Sequence, residues 1–367
     1  MLNKENPDFL SDQLVTYLGN KRALVGFIGQ TLETVKAELG KEKLNICDIF
    51  TGSGATARFF KAHSHKLIVN DLENYVEALS KCYLTNKEDV PFARLEDEMK
   101  KLKSHLEKGL HPGFISRLYA PKDDENIKKG ERVFFTTRNA NYIDTARQYM
   151  ENMDESIRHF FIAPLIFEAS VKNNTSGVFK GFYKNSHTGI GQFGGNGRNA
   201  LSRIMADIDI PMPIFSQFSC DVEIFKEDAN ILAENLPTVD LMYLDPPYNQ
   251  HPYGSNYFML NLVCDYKCPQ AVSRVSGIPT DWNRSDYNRE KTARDTLYDL
   301  CRKAKAKYLL ISFNSEGFIS KNEMEEMLSE IGEVRTFQQR YNAYKASRNL
   351  YGRDVHINEY LYLIKKY

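Results

Sequence analysis

The most chemically suggestive short stretch in this 367-residue chain is Asp245-Pro246-Pro247-Tyr248. A carboxylate and a nearby main-chain carbonyl can accept hydrogen bonds from the protons of an aromatic amino group. Such an amine is a poor nucleophile, because its lone pair is delocalised into the ring. Holding its protons draws the nitrogen towards tetrahedral geometry and frees the pair. Two prolines stiffen the turn, so the Asp245 carboxylate and the Pro246 carbonyl are fixed before any substrate arrives. Tyr248 adds an aromatic face on which an extruded base can stack. The plainer alternative is a rigid turn after the short apolar run at 240–244.

A second cluster lies near the N-terminus, in Asp48-Ile49-Phe50-Thr51-Gly52-Ser53-Gly54-Ala55. Gly52 and Gly54 remove side chains where backbone must pass close to a ligand, and they open dihedrals closed to other residues. No Lys-Ser or Lys-Thr pair follows, so this is not a phosphate-cradling loop of the nucleotide-triphosphatase type. The third glycine of a dinucleotide fingerprint is replaced by Arg58. The next apolar run ends in Asn70-Asp71, about 20 residues on, where an acid can accept hydrogen bonds from ribose hydroxyls. Asp71 could equally cap the helix that follows. Together the two features point to a nucleoside-containing cofactor.

The elements that must position these groups alternate. Helical periodicity at 25–39 precedes a strand at 44–49, the glycine turn at 51–54, a helix at 55–61, a strand at 66–70 and a helix at 76–85. This order opens a doubly wound α/β sheet, whose ligands bind at the carboxyl ends of the strands. The pattern returns after residue 215. A strand at 240–244, a helix at 294–304 and a strand at 307–313 lead to two closing strands at 333–340 and 359–365, read as a hairpin with a long loop. Between the halves, 96–214 reads as irregular, with glycine and proline clusters near 109–113 and 189–197 and one helix at 154–168. The expected architecture is one α/β domain, residues 1–95 and 215–367, interrupted by an inserted domain at 96–214.

The motifs and their order resemble the alpha-group, Dam-like DNA adenine-N6 methyltransferases that use S-adenosylmethionine. The run from Asp245 to Tyr257 (Asp-Pro-Pro-Tyr-Asn-Gln-His-Pro-Tyr-Gly-Ser-Asn-Tyr) is most similar to the FokI-type modification branch. The resemblance covers nearly the whole chain. It implies a class I, Rossmann-like methyltransferase sheet with a largely irregular or helical target-recognition domain, and a site-specific enzyme that methylates N6 of a flipped adenine in double-stranded DNA. Asp245, Pro246, Pro247 and Tyr248 would then be catalytic. Tyr17 and Lys21, in Tyr17-Leu18-Gly19-Asn20-Lys21, would lie near the cofactor, with Asp48, Phe50, Gly52 and Gly54 at the glycine bend and Asp71 on the ribose. In Glu227-Asp228-Ala229, Asp228 would meet the cofactor adenine, unless it is a plain helix cap. The run from Ser312 to Gly317 resembles a motif lining the base pocket. A cognate restriction endonuclease would share the DNA site without touching this protein, and a monomer suffices for the chemistry.

The DNA face is sought in the charge distribution. Lys plus Arg equals Asp plus Glu, 48 each, so the whole chain is no polycation. The stretch 169–206, however, contains no acid and carries Lys172, Lys180, Lys184, Arg198 and Arg203 among aromatic, Asn and Gln residues. That is a phosphate-binding footprint with base-reading side chains. A second acid-free stretch, 334–353, includes Arg348, and Tyr341 or Tyr344 could form the second wall of a base pocket.

The six cysteines show no zinc spacing, so no metal is expected, and they read as reduced thiols. The N-terminus lacks the apolar core of a secretory signal and no run is long enough to span a bilayer. A soluble cytoplasmic protein without a membrane partner is expected, bacterial and held to the nucleoid by its DNA. Methylation of RNA, or DNA binding without catalysis, are the competing readings. An intact glycine bend, Asp71 and Asp245 argue against the second.

Overall fold

The computed structural model describes residues 5–342 and 356–367; for 341, 342 and 356 it describes the backbone alone. Seven strands form one sheet: β1 (Leu44–Asp48), β2 (Ser64–Asn70), β3 (Asp221–Phe225), β4 (Val239–Leu244), β5 (Ala306–Asn314), β6 (Gly332–Asn342) and β7 (His356–Lys366), in the order β3-β2-β1-β4-β5-β7-β6. The first five strands run parallel, and β7 lies antiparallel between β5 and β6. The chain lays down β1, β2 and β3 in one direction, then returns to place β4 on the other side of β1. That reversal leaves a crevice beyond the carboxyl ends of β1 and β4, where doubly wound sheets bind ligands.

Apolar strands bury both faces of the sheet. Helices Val25–Leu39 and Ala55–Lys61 close one face around Ile28, Leu32, Phe60, Leu67 and Leu241. Helices Ala229–Asn235, Glu290–Lys303 and Lys321–Ser329 close the other around Met242, Leu297, Leu309 and Met327. The expected strands and the antiparallel closing pair are present with bounds shifted by one to three residues, and the sheet is that of a class I methyltransferase.

The middle of the chain is more helical than its sequence suggested. Besides Glu155–Val171, it holds Phe92–Glu107, Phe114–Tyr119 and Thr137–Glu151. The first of these has an apolar stripe, Leu95, Met99, Leu102 and Leu106, diluted by charge on its other faces. The Thr137–Glu151 helix buries polar side chains as well as apolar ones, which masks its periodicity. Asp144 accepts from the backbone N–H groups of Gly113, Ile115 and Ser116 at 2.7–3.1 Å, and so caps the helix at Phe114. These helices share a third core with Asn74–Tyr83 and with Phe258–Asp265, which follows the Asp-Pro-Pro-Tyr turn. The inserted helices and the helix at Phe258 are therefore built onto a common apolar base.

Candidate active site

One cleft of about 880 Å³ opens at the carboxyl ends of β1 and β4. Tyr17, Lys21, Phe50, Gly52, Asp71 and Asp228 line it, and so do Asp245 and Pro247. Residues from four separate motifs thus face one space. Asp48 and Gly54 do not line it. Asp48 lies fully buried beneath the bend, and Gly54 caps the helix at Ala55 with φ +78°. Pro246 is buried behind the turn. Tyr248 is half-buried and set edge-on to Phe313, with ring centroids 5.7 Å apart.

The glycine bend is built by reciprocal bonds. Gly52 has φ +52° and donates its N–H to Asp71 Oδ2 at 2.9 Å, while Asp71 Oδ1 accepts from the N–H of Glu73 at 3.1 Å. A β-carbon on Gly52 would stand 3.2 Å from Tyr17 Cε1. Asp71 therefore ties the end of β2 to the turn after β1. Asp228 does cap the helix at Ala229, accepting from Asn230 and Ile231 at 2.9 and 3.2 Å. Both bonds fall on Oδ1, and the residue also faces the cleft. Its two readings are compatible.

The cleft is acidic. Burial pushes Asp48 up to about 7, against a 2.7 Å hydrogen bond from Thr56. Asp48 Oδ1 is buried without a hydrogen-bond partner. Glu73 is raised to about 7 by burial and by neighbouring Asp71. Burial lifts Asp245 to about 6, although Lys21 pulls it down. The Lys21 ammonium lies 2.8 Å from Asp245 Oδ1 and 3.5 Å from Glu359 Oε1. Burial disfavours that charge, yet the two carboxylates hold Lys21 above its ordinary range. Lys21 thus reaches the catalytic turn itself, a contact beyond its expected place near the cofactor.

Other residues at the cleft or packed behind it were given no role by the sequence. Tyr253 and Tyr257 stack on Tyr17, at 4.9 and 4.6 Å, and Tyr257 accepts from the N–H of Leu18 at 2.6 Å. They pin the N-terminal motif against the segment after the catalytic turn. Asn283, Ser285, Tyr287 and Asn288 come from the loop before Glu290. Tyr287 packs edge-on against Phe50 and donates to Asn230 Oδ1 at 2.6 Å. These four belong to no local motif, so only the fold reveals them, whereas Tyr253 and Tyr257 lie in the run that follows Asp245. Glu359 did leave a signal. It breaks the apolar series Ile357, Leu361, Leu363 on one face of its strand, where a charge is out of place.

The acid-free stretch 169–206 divides in two. Lys172 pairs with Glu168, and the Arg203 guanidinium bonds the carbonyls of Val171 and Thr175. Asn173 and Asn174, two of the Asn residues in this stretch, are not placed to read bases. Both are buried, Asn173 donating to Ala169 and Ser170 carbonyls, and Asn174 donating to Val133 O while accepting from the N–H of Gly194. They form the frame of the loop. Lys180 and Arg198 are exposed, and Lys184 is half-exposed with its ammonium 4.9 Å from the Phe182 ring. Phe179 donates its N–H to Asn256 O at 2.7 Å, so the loop is stitched to the segment after the catalytic turn. Arg348, Tyr344 and the Tyr341 side chain lie outside the described residues.

With this geometry in view, the comparisons decide the family. The D12 class N6 adenine-specific DNA methyltransferases match residues 17–327. The chain belongs to that family. Similar proteins include the type II methyltransferase M.CviAII of Paramecium bursaria Chlorella virus 1, 27% identical over 358 residues, 95% of this chain and 98% of the relative. M.NlaIII of Neisseria lactamica is 27% identical over 365 residues, 96% of this chain and 99% of that one. M.FokI of Planomicrobium okeanokoites is 24% identical over 365 residues, 95% of this chain but 52% of the longer relative. The family's reaction is methyl transfer to adenine N6 in DNA, and a methyltransferase of this family implies S-adenosylmethionine as the donor. Nothing in these similarities favours RNA as substrate or a binding-only role. Among the described residues no helix is long and apolar enough to cross a membrane.

Proposed function

We propose that this adenine-N6 DNA methyltransferase binds its cofactor in the β1/β4 cleft and works as the modification enzyme of a type II restriction-modification system. The relatives that it spans almost end to end carry type II methyltransferase names. The observation that carries the site assignment is the convergence of Gly52, Asp71, Lys21 and Asp245 on one cleft.

The residues present fit S-adenosylmethionine. Gly52 leaves room that a β-carbon would take from Tyr17, and the carboxylates of Asp71, Glu73, Asp228 and Asp245 outnumber Lys21, which suits a ligand bearing a sulfonium and an ammonium. Asp71 would hold the ribose, Asp228 and Phe50 the adenine, and buried Asp48 would support the bend. The cofactor supplies an activated methyl group, so no general base of unusual strength is required.

The remaining work falls to the chain. Asp245 and the Pro246 carbonyl hold the two amino protons of an extruded adenine and turn its nitrogen lone pair outward. Tyr248 stacks on the base, buttressed by Phe313. Segment 96–214 serves as the target-recognition domain, with Lys180, Lys184 and Arg198 meeting DNA phosphates, and Lys172 and Arg203 shaping that loop from within. One copy holds every lining residue named here, so a monomer suffices for the chemistry, and a cognate endonuclease need share only its DNA site.

The deciding experiment is Asp245→Ala, followed by tritiated methyl transfer and by cofactor calorimetry. Transfer should fall by at least roughly 10²–10³-fold, the scale of losing one preorganised polar group at a reacting centre, with cofactor affinity retained. Undiminished transfer would remove Asp245 from the chemistry.

A further inference from the structure

The catalytic turn does not meet Lys21 alone. Glu359, on β7, has no solvent exposure, and its Oε1 accepts from Ser312 Oγ as well as facing the Lys21 ammonium. Because β7 runs against β5, Glu359 stands opposite Asn314 at the carboxyl edge of the sheet, level with the reacting groups. Lys21 itself is 3% exposed and also donates to the Gly19 carbonyl at 3.2 Å. Two carboxylates therefore share the buried Lys21 ammonium. Taking a carboxylate out of water is costly, and the proposed reaction gives Glu359 no contact with the substrate.

We infer that Glu359 is a positioning residue: it anchors Lys21 on one side of the catalytic turn, so that Lys21 engages only Oδ1 of Asp245 and leaves Oδ2 to the adenine amino group. Without that anchor, Lys21 can swing across the Asp245 carboxylate and neutralise the acceptor that the amine needs. Among the described residues, the titratable groups that act on Asp245 include Lys21, Glu359, Asp48, Tyr243 and Tyr253. Of the carboxylates among them, Glu359 touches Lys21. This inference rests on Asp245 being the proton acceptor of the amine.

The test compares Glu359→Gln, Glu359→Asp, Lys21→Met, the double variant Lys21→Met/Glu359→Gln and Asp245→Ala, all on the full chain. Glutamine keeps the shape and the Ser312 contact but removes the charge. E359Q should lower the plateau kcat by about 10- to 100-fold, as loss of reacting geometry does, with cofactor affinity and Tm near those of the parent. Glu359 raises Asp245, so removing its charge should also move the acid limb of kcat/KM to lower pH. E359D, which keeps the charge one methylene further back, should lose less rate and leave the acid limb in place. If Glu359 acts through Lys21, the double variant should be no slower than Lys21→Met alone. Parent-like kcat in E359Q, an unmoved acid limb, or losses that add in the double variant would overturn the inference. If instead Asp245→Ala retains methyl transfer, it is the underlying assignment of Asp245 that fails.

Discussion

The cleft and the basic loop use charge in opposite ways. At the cleft, Lys21 and Glu359 are buried, Asp245 is largely so, and the Lys21 ammonium lies 2.8 Å from Asp245 and 3.5 Å from Glu359. Each side chain there shifts the proton affinity of its neighbours, because low dielectric leaves their fields unscreened. In the stretch 169–206 the cations fall into two classes. Lys172 and Arg203 are tied to the fold, whereas Lys180 and Arg198 face solvent, where salt screens them. Buried charge should therefore be read out in pH and in large rate effects, and exposed charge in salt dependence and in small ones.

The largest consequence is in pH. Asp245 must be ionised to accept amine protons, and burial has raised it to about 6. A carboxyl raised in this way gains its proton on the acid side, so kcat/KM, which reports the free enzyme, should fall about tenfold for each pH unit below that value. A pH–rate profile flat from 7 down to 5 would break the contrast on the side of the cleft. Next in size is Gly52→Ala. At φ +52° an alanine is strained, and its β-carbon meets Tyr17. A cost of about 1–3 kcal/mol should weaken cofactor binding roughly 5- to 150-fold, measured by calorimetry, while DNA affinity holds.

On the loop, Lys180→Ala and Arg198→Ala should each weaken DNA binding modestly and make the slope of log K against log salt shallower by about 1. Unchanged slopes in both would show that DNA lies elsewhere. The smallest DNA effect belongs to Lys172→Met. It should leave the salt slope alone and lower stability by roughly 1–2 kcal/mol, through the unpaired Glu168, as a thermal or denaturant melt would record. A changed slope with unchanged stability would place Lys172 among the phosphate contacts and erase the division drawn within the loop.

Much of the cleft was legible before any fold was known. The bend at Gly52 and Gly54, the acid at Asp71 and the turn at Asp245–Tyr248 are local, since a few adjacent backbone dihedrals set each of them. The loop was harder to read. Its lack of acids is visible, but a lysine with Glu168 one helical turn behind it is indistinguishable by composition from one that meets solvent. The Thr137–Glu151 helix was missed for a related reason. Asn139, Asp144 and Arg147 are polar yet buried, because their partners come from other segments. Hydrophobic periodicity cannot register a polar side chain whose bonds are made at a distance.

The amino-acid sequence alone determined the order of motifs, the α/β alternation and the rigid Asp-Pro-Pro-Tyr turn, all of which depend on neighbours along the chain. Only the tertiary structure decided that Lys21 and Glu359, from opposite ends of the chain, meet at Asp245. The reason is topological. β7 enters the sheet between β5 and β6 and runs against β5, which carries Glu359 to the same edge as the ends of β1 and β4. Side-chain electrostatics there depend on distances of 2.8 and 3.5 Å between groups that no local pattern connects.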